Sequence, residues 1–198
     1  MANAHEIEQF ADAVEIGDLE TVQKMVEAEP GLISEQIWCE DQALHLACWQ
    51  NHLNIIRFLI ARGANVNVHG DLGRTPLHYA VYEGDKRSRD VAAILIAAGA
   101  EVDSGDTYGS TPLEYAASQQ NKELGPCIDL LLQQGARMTL FAGLLLVKDD
   151  EYATLIEKDA GATSTDKLEE LATLAESLGH LRHLALLHWE LARRRKGE

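Results

Sequence analysis

Apolar residues recur along this chain as paired short runs, with polar turns between the pairs. The runs QALHLA (42–47), TPLHYA (75–80) and TPLEYA (111–116) repeat one phrase, and Leu44, Leu77 and Leu113 mark its register, 33 and then 36 residues apart. Each phrase is followed by a second apolar run ending in Gly-Ala: IIRFLIARGANVN, VAAILIAAGAEVD and CIDLLLQQGARMT. Gly63, Gly99 and Gly135 stand where a helix must stop, at the position that takes a left-handed residue. The polar segments VHGDLGR and SGDTYGS, rich in turn formers, close each cycle. The pattern predicts turn, helix, short turn, helix and loop in every unit.

Local chemistry supports each piece. Thr75 and Thr111 are placed to cap the first helix, and the proline that follows each sits where a missing N–H costs nothing. Leu77 and Leu113 begin an apolar face that Ala80 and Ala116 continue, small enough for neighbouring helices to approach closely. Neither helix of a pair buries its face alone, so stacking must supply the core. A recurring TPLHYA with a period near 33 and Gly-Ala punctuation resembles the ankyrin-repeat family. The resemblance implies an all-α solenoid of stacked helix-turn-helix units with short hairpin loops. It also implies that His45 and His78 bond to neighbouring backbone and tie one repeat to the next. Glu114 holds the same position in repeat four, where a carboxylate accepts from backbone N–H groups.

The likeness extends outward in weaker form. FADAVEIGDLETVQKMVEAEPGLI (10–33) has the two-helix pattern without the TPLH phrase, as a capping first repeat would. LLLVKDDEYATLIEKDAG (144–161) echoes it, and AESLGHLRHLALL (175–187) follows the layout of ACWQNHLNIIRFL (47–59). The expectation is one ankyrin-repeat domain over 1–198, with units near 4–36, 37–70, 71–105, 106–138, 139–163 and 164–196, the last two a degenerate helical cap. Repeats three and four carry longer inter-helix turns, EGDKRSRD (83–90) and QQNKELGPC (119–127), tolerated because loop closure grows slowly in cost. After Gly135 the Asp-Gly turn is missing, so RMTLFAGLLL is expected to pass straight into a helix.

Composition narrows the function. Lys and Arg number 17 against 32 Asp and Glu, a formal charge of −15; such a surface repels phosphate backbones and argues against nucleic acid. Three cysteines at wide spacing form neither a disulfide framework nor a zinc site. The N-terminal stretch lacks the basic start and apolar run of a signal peptide, and the apolar clusters are too short to span a bilayer, so a cytoplasmic protein with no membrane contact is expected. His180, His183 and His188 point in directions spread over more than 100° of a helix, without interleaved ligands, and no metal is expected. No nucleophile elbow, phosphate loop or HExxH motif is present. Asp149 and Asp150 read as a solvated pair, and the LARRRK run (191–196) as cations favoured by a helix C-terminus.

The ankyrin resemblance also supplies contact positions on the concave face. The hairpin tips fall on Trp38, Cys39 and Asp41, then Asp71, Leu72 and Arg74, then Thr107, Tyr108 and Ser110. The exposed faces of the first helices fall on Trp49 and Gln50, then Tyr82 and Glu83, then Ser118 and Gln119. Aromatic residues are only 6% of the chain, yet Trp38, Trp49, Tyr82 and Tyr108 all fall in this set, and interface hot spots favour Trp and Tyr. An opposing account has Trp38 and Trp49 sealing the junction between the capping unit and repeat two. The reading is a non-enzymatic, monomeric adaptor or inhibitor without cofactor, binding a protein partner with a basic or apolar-anchored surface. The alternatives are an immunity-type inhibitor of a toxin or enzyme, and a metal-dependent regulator or enzyme built on the C-terminal helices.

Overall fold

The computed structural model describes residues 2–82, 87–119, 124–146, 154–156, 163–178 and 180–195. Residues 83–86 and 120–123 of the two lengthened turns, Glu83 among them, and the Asp149–Asp150 pair lie outside the described residues. The chain forms two compact units, Met1–Ala136 and Arg137–Glu198. The boundary falls at the point where the sequence lacks its Asp-Gly turn.

In the first unit, helices alternate as the two runs of each repeat require. Helices α1 (Ala4–Ile16), α3 (Ala43–Trp49), α5 (Pro76–Tyr82) and α7 (Pro112–Ser118) form one layer, each packed on the next. Helices α2 (Leu19–Ala28), α4 (Leu53–Ala61), α6 (Ser88–Ala97) and α8 (Gly125–Gln133) form the second. Leu44, Leu77 and Leu113 are buried at the centre of the stack, with Phe10, Ile56, Leu59, Leu95 and Leu131 filling the space between layers. Each such side chain stabilises the stack by roughly 1.5–3 kcal/mol relative to exposure. Gly63, Gly99 and Gly135 have φ of 92°, 96° and 90°, so α4, α6 and α8 end on the same left-handed turn. There an Ala N–H folds back to the helix, as in Ala64 to Leu59, Ala100 to Leu95 and Ala136 to Leu131.

The histidines of the repeated phrase carry the expected ties. His45 Nδ1 accepts the Gln42 amide at 3.0 Å, which places the proton on Nε2, and Nε2 donates to Val68 O at 3.1 Å. His78 repeats this one unit on, accepting from the Thr75 amide at 3.1 Å and donating to Ser110 O at 2.9 Å. Burial lowers both ring pKa values, so the neutral form is the stable one. Thr111 caps α7 in a reciprocal box: its hydroxyl accepts the Glu114 amide, and the Glu114 carboxylate accepts the Thr111 amide at 3.0 Å. Thr75 departs from the expected cap. Its hydroxyl lies 2.9 Å from His78 Nδ1 and donates there, because the imidazole already fills the place that a carboxylate takes in repeat four.

Further bonds join successive loops. Asn67 gives its amide N–H to Gly99 O and receives Glu101 N–H, and the Thr107 amide reaches Leu72 O at 2.9 Å. His52, at the start of α4, donates from Nε2 to Glu15 O at 2.8 Å and ties the first repeat to the second.

The second unit contains α9 (Leu140–Leu146), α10 (Thr165–Ser177) and α11 (Leu181–Arg195). Helix α9 follows Gly135 after a few residues, with Thr139 Oγ1 accepting the Ala142 amide, as expected. Leu140, Ile156, Leu168, Leu171, Ala175, Leu187 and Leu191 make its core. The terminal arginines do more than favour the helix dipole. Arg193 and Arg194 both clasp Glu190, whose side chain is 2% exposed, and Arg195 pairs with Glu169 on α10. His180 Nδ1 lies 3.1 Å from His183 Nδ1, while His188 is exposed elsewhere on α11.

Candidate functional site

The first two hairpin loops each set their tip beside the first helix of their own repeat and of the next, as Asp41 reaches His45 and Tyr79 and Arg74 reaches Tyr82 and Tyr115. The first tip is the hairpin of β1 (Gln36–Trp38) and β2 (Asp41–Gln42), turned at Cys39 with φ of 50°. The second is the tight turn Asp71–Gly73, with Leu72 at φ 54° and Gly73 at 71°, closed by Gly70 N–H to Arg74 O at 2.8 Å. The third is closed in the same way by Asp106 N–H to Ser110 O.

Between the first two tips lies a cavity of about 260 Å3, lined by Trp38, Cys39, Asp41, Trp49, Asp71, Arg74, Tyr79 and Tyr82. Trp38, Trp49 and Tyr82 are 44%, 37% and 38% exposed, although large aromatics normally bury most of their surface. The Trp49 ring packs 5.9 Å from Tyr79 and 6.4 Å from Tyr82, centroid to centroid. Both of these neighbouring rings belong to repeat three. At the floor, Asp41 accepts the Tyr79 hydroxyl at 2.7 Å and the Asp71 amide at 2.9 Å. Burial and the bond to Asp41 together raise the Tyr79 pKa, so the phenol stays a donor. Gly70 must lack a side chain here, since a Cβ would overlap the Asp41 carboxylate and press on the His45 ring.

Arg74 sits at the far wall. Its guanidinium lies 5.5 Å from the Tyr82 centroid and 5.6 Å from that of Tyr115, with Nε donating to the Tyr115 hydroxyl at 3.0 Å. Tyr115 in turn donates to Asp106 at 2.8 Å. Burial opposes the Asp106 charge, but the Tyr115 hydroxyl and the Ser110 and Tyr108 amides outweigh it and hold this carboxyl below its ordinary pKa.

Seven of the contact positions drawn from the sequence line this cavity: Trp38, Cys39, Asp41, Trp49, Asp71, Arg74 and Tyr82. Others lie outside it. Gln50 is exposed at the end of α3, Leu72 and Tyr108 are exposed at tips (Tyr108 at 75%), and Ser118 closes its hydroxyl onto Tyr115 O. Glu83 lies outside the described residues. Sequence reasoning passed over Tyr79 and Tyr115, which read as apolar members of the repeated phrase. Their place one residue after the His or Glu, with a carboxylate in a neighbouring tip, was the available signal.

A larger cavity of about 510 Å3 lies in the second unit, lined by Glu169, Thr173, Glu176, His188, Leu191 and Arg195 among others. Its Glu169 pairs with Arg195 between α10 and α11, and its lining includes none of the exposed aromatics of the first site. Among the described residues no cluster of three or more His, Cys, Asp or Glu is set to hold a metal ion, and no helix is long and apolar enough to cross a membrane.

Residues 10–106 match the family model for ankyrin repeats, in three copies. This chain is an ankyrin-repeat protein. Its repeats are similar to those of palmitoyltransferase AKR1 of Eremothecium gossypii, 44% identical over 73 residues, which is 34% of this chain and 10% of that protein. The probable palmitoyltransferase AKR2 of Saccharomyces uvarum is 41% identical over 61 residues, 31% of this chain and 8% of that protein. The nuclear factor NF-kappa-B p110 subunit of Drosophila melanogaster is 49% identical over 43 residues, 22% of this chain and 4% of that protein. The chain thus spans a tenth or less of the length of these relatives. Ankyrin repeats are protein-interaction modules, and this array is one.

Proposed function

We propose that this ankyrin array acts without catalysis, as an adaptor or inhibitor that holds a protein partner against the face bearing Trp38, Trp49 and Tyr82. One observation carries the reading: three part-exposed aromatic rings from two repeats converge on a cavity that also holds Asp41, Asp71 and Arg74. Rigid aromatic rings give large contact area at little ordering cost, and the surrounding hydrogen bonds already hold the loops in place. Tyr108, exposed on the next tip, extends the same surface. The net charge of −15 favours a partner with basic flanks, including the toxin or enzyme that an acidic immunity-type inhibitor would neutralise. The protein is proposed to work as a cytoplasmic monomer.

The test has two steps. Affinity capture with mass spectrometry identifies the partner, and its affinity is then measured against Trp49→Ala and Tyr82→Ala. Each substitution is expected to weaken binding by roughly 1–4 kcal/mol with an unchanged circular-dichroism spectrum. Unchanged affinity in both variants would remove this face from consideration.

A further inference from the structure

Resting on the interaction role just proposed, the chemistry of the cavity narrows what the partner presents. Its charges do not balance. Asp41 and Asp71 bring two carboxylates against the single guanidinium of Arg74, and His45 behind them is held neutral by burial. The Asp41 side chain is only 14% exposed, yet its hydrogen-bond donors are a phenol and an amide. Among the described residues no lysine or arginine forms an ion pair with Asp41 or Asp71. Arg74 is committed elsewhere, lying against Tyr82 and Tyr115 with Nε on the Tyr115 hydroxyl. A part-buried carboxylate satisfied only by dipoles, below a rim of aromatic rings, is complementary to an incoming cation.

The walls also discriminate between cations. Trp49 meets Tyr79 at 46° and Tyr82 at 70°. A flat guanidinium stacks on one ring of such a set, whereas the rounder head of an alkylammonium touches several. Asp41 Oδ1 already accepts two hydrogen bonds and Oδ2 one, which leaves more room for the single contact of an ammonium than for the two-point fork that arginine prefers on a carboxylate. We propose that the cavity takes a lysine side chain of the protein partner, its stem against Trp38, Trp49 and Tyr82 and its ammonium facing Asp41 and Asp71.

The test uses the full chain and three acetylated, amidated peptides, Ala-Ala-X-Ala-Ala with X as lysine, arginine or norleucine. Tryptophan indole N–H signals are followed by NMR, with Trp38→Phe and Trp49→Phe assigning the peaks. The lysine peptide is expected to shift the Trp38 and Trp49 signals saturably, at least about fivefold more tightly than norleucine or arginine. Asp41→Asn should weaken it by about three- to tenfold, and added salt should weaken it too. If Asp41→Asn melts early, Asp71→Asn carries the same comparison on an intact fold. Norleucine binding as well as lysine, a preference for arginine, or no shift with any peptide overturns the lysine assignment. None of these results touches the interaction role, which stands or falls on partner affinity in Trp49→Ala and Tyr82→Ala.

Discussion

His45 and His78 are fully buried, and each uses one ring nitrogen as acceptor and the other as donor, an arrangement only the neutral ring can make. Burial lowers both folded pKa values from 6.5, so below that pH the unfolded chain binds the proton more readily than the fold does. The contribution to stability is therefore whole above pH 6.5 and is lost as the pH falls from there toward the depressed folded values. Melting temperature should change little just above neutral pH and drop on acidification, with a shallower drop in His78→Gln, as calorimetry across the range would read. The cysteines give a second check at this scale. Cys39 is exposed in the first tip, whereas Cys48 and Cys127 are buried, and burial pushes the Cys127 thiol up to about 12. A thiol reagent should modify one cysteine quickly in the folded protein and all three in denaturant.

At the scale of the element, the first helices α3, α5 and α7 are each only seven residues long, about two turns, and depend on their neighbours. Helix α5 runs Pro76–Tyr82 and every residue through Val81 is buried. Leu77→Ala opens a cavity between layers that seven helical residues cannot close, and should cost roughly 2–5 kcal/mol in denaturant unfolding; a near-neutral result would mean that the repeat register is wrong. Helix stops were readable because glycine tolerates the left-handed turn, and the three Gly-Ala sites behave alike. The cap of α5 was not. Threonine is an ordinary capping residue, but at position 75 its hydroxyl answers to His78, and that competition depends on where the ring sits in the stack.

For the whole molecule, the surface charge of −15 sets behaviour that no single site decides. The protein should pass through a heparin column at physiological salt and bind an anion exchanger; retention on heparin would point to a basic patch hidden by the net count. The candidate site also belongs to this scale. Its lining comes from residues 38–41, Trp49 and residues 71–82. Only the stacking of repeat two on repeat three brings them within reach of one another.

The sequence by itself determined the repeat: which positions are apolar, and where each helix stops. These features depend on neighbours a few residues away, or on a period that recurs and can be counted. Tertiary structure decided the rest. It lifted Tyr79 from an apolar member of the phrase to the lining of a cavity, set Trp49 against two rings of repeat three, and left Asp41 without an ion-paired lysine or arginine among the described residues. Those outcomes depend on which side chains meet across a stacking interface, and spacing along a chain does not record that distance.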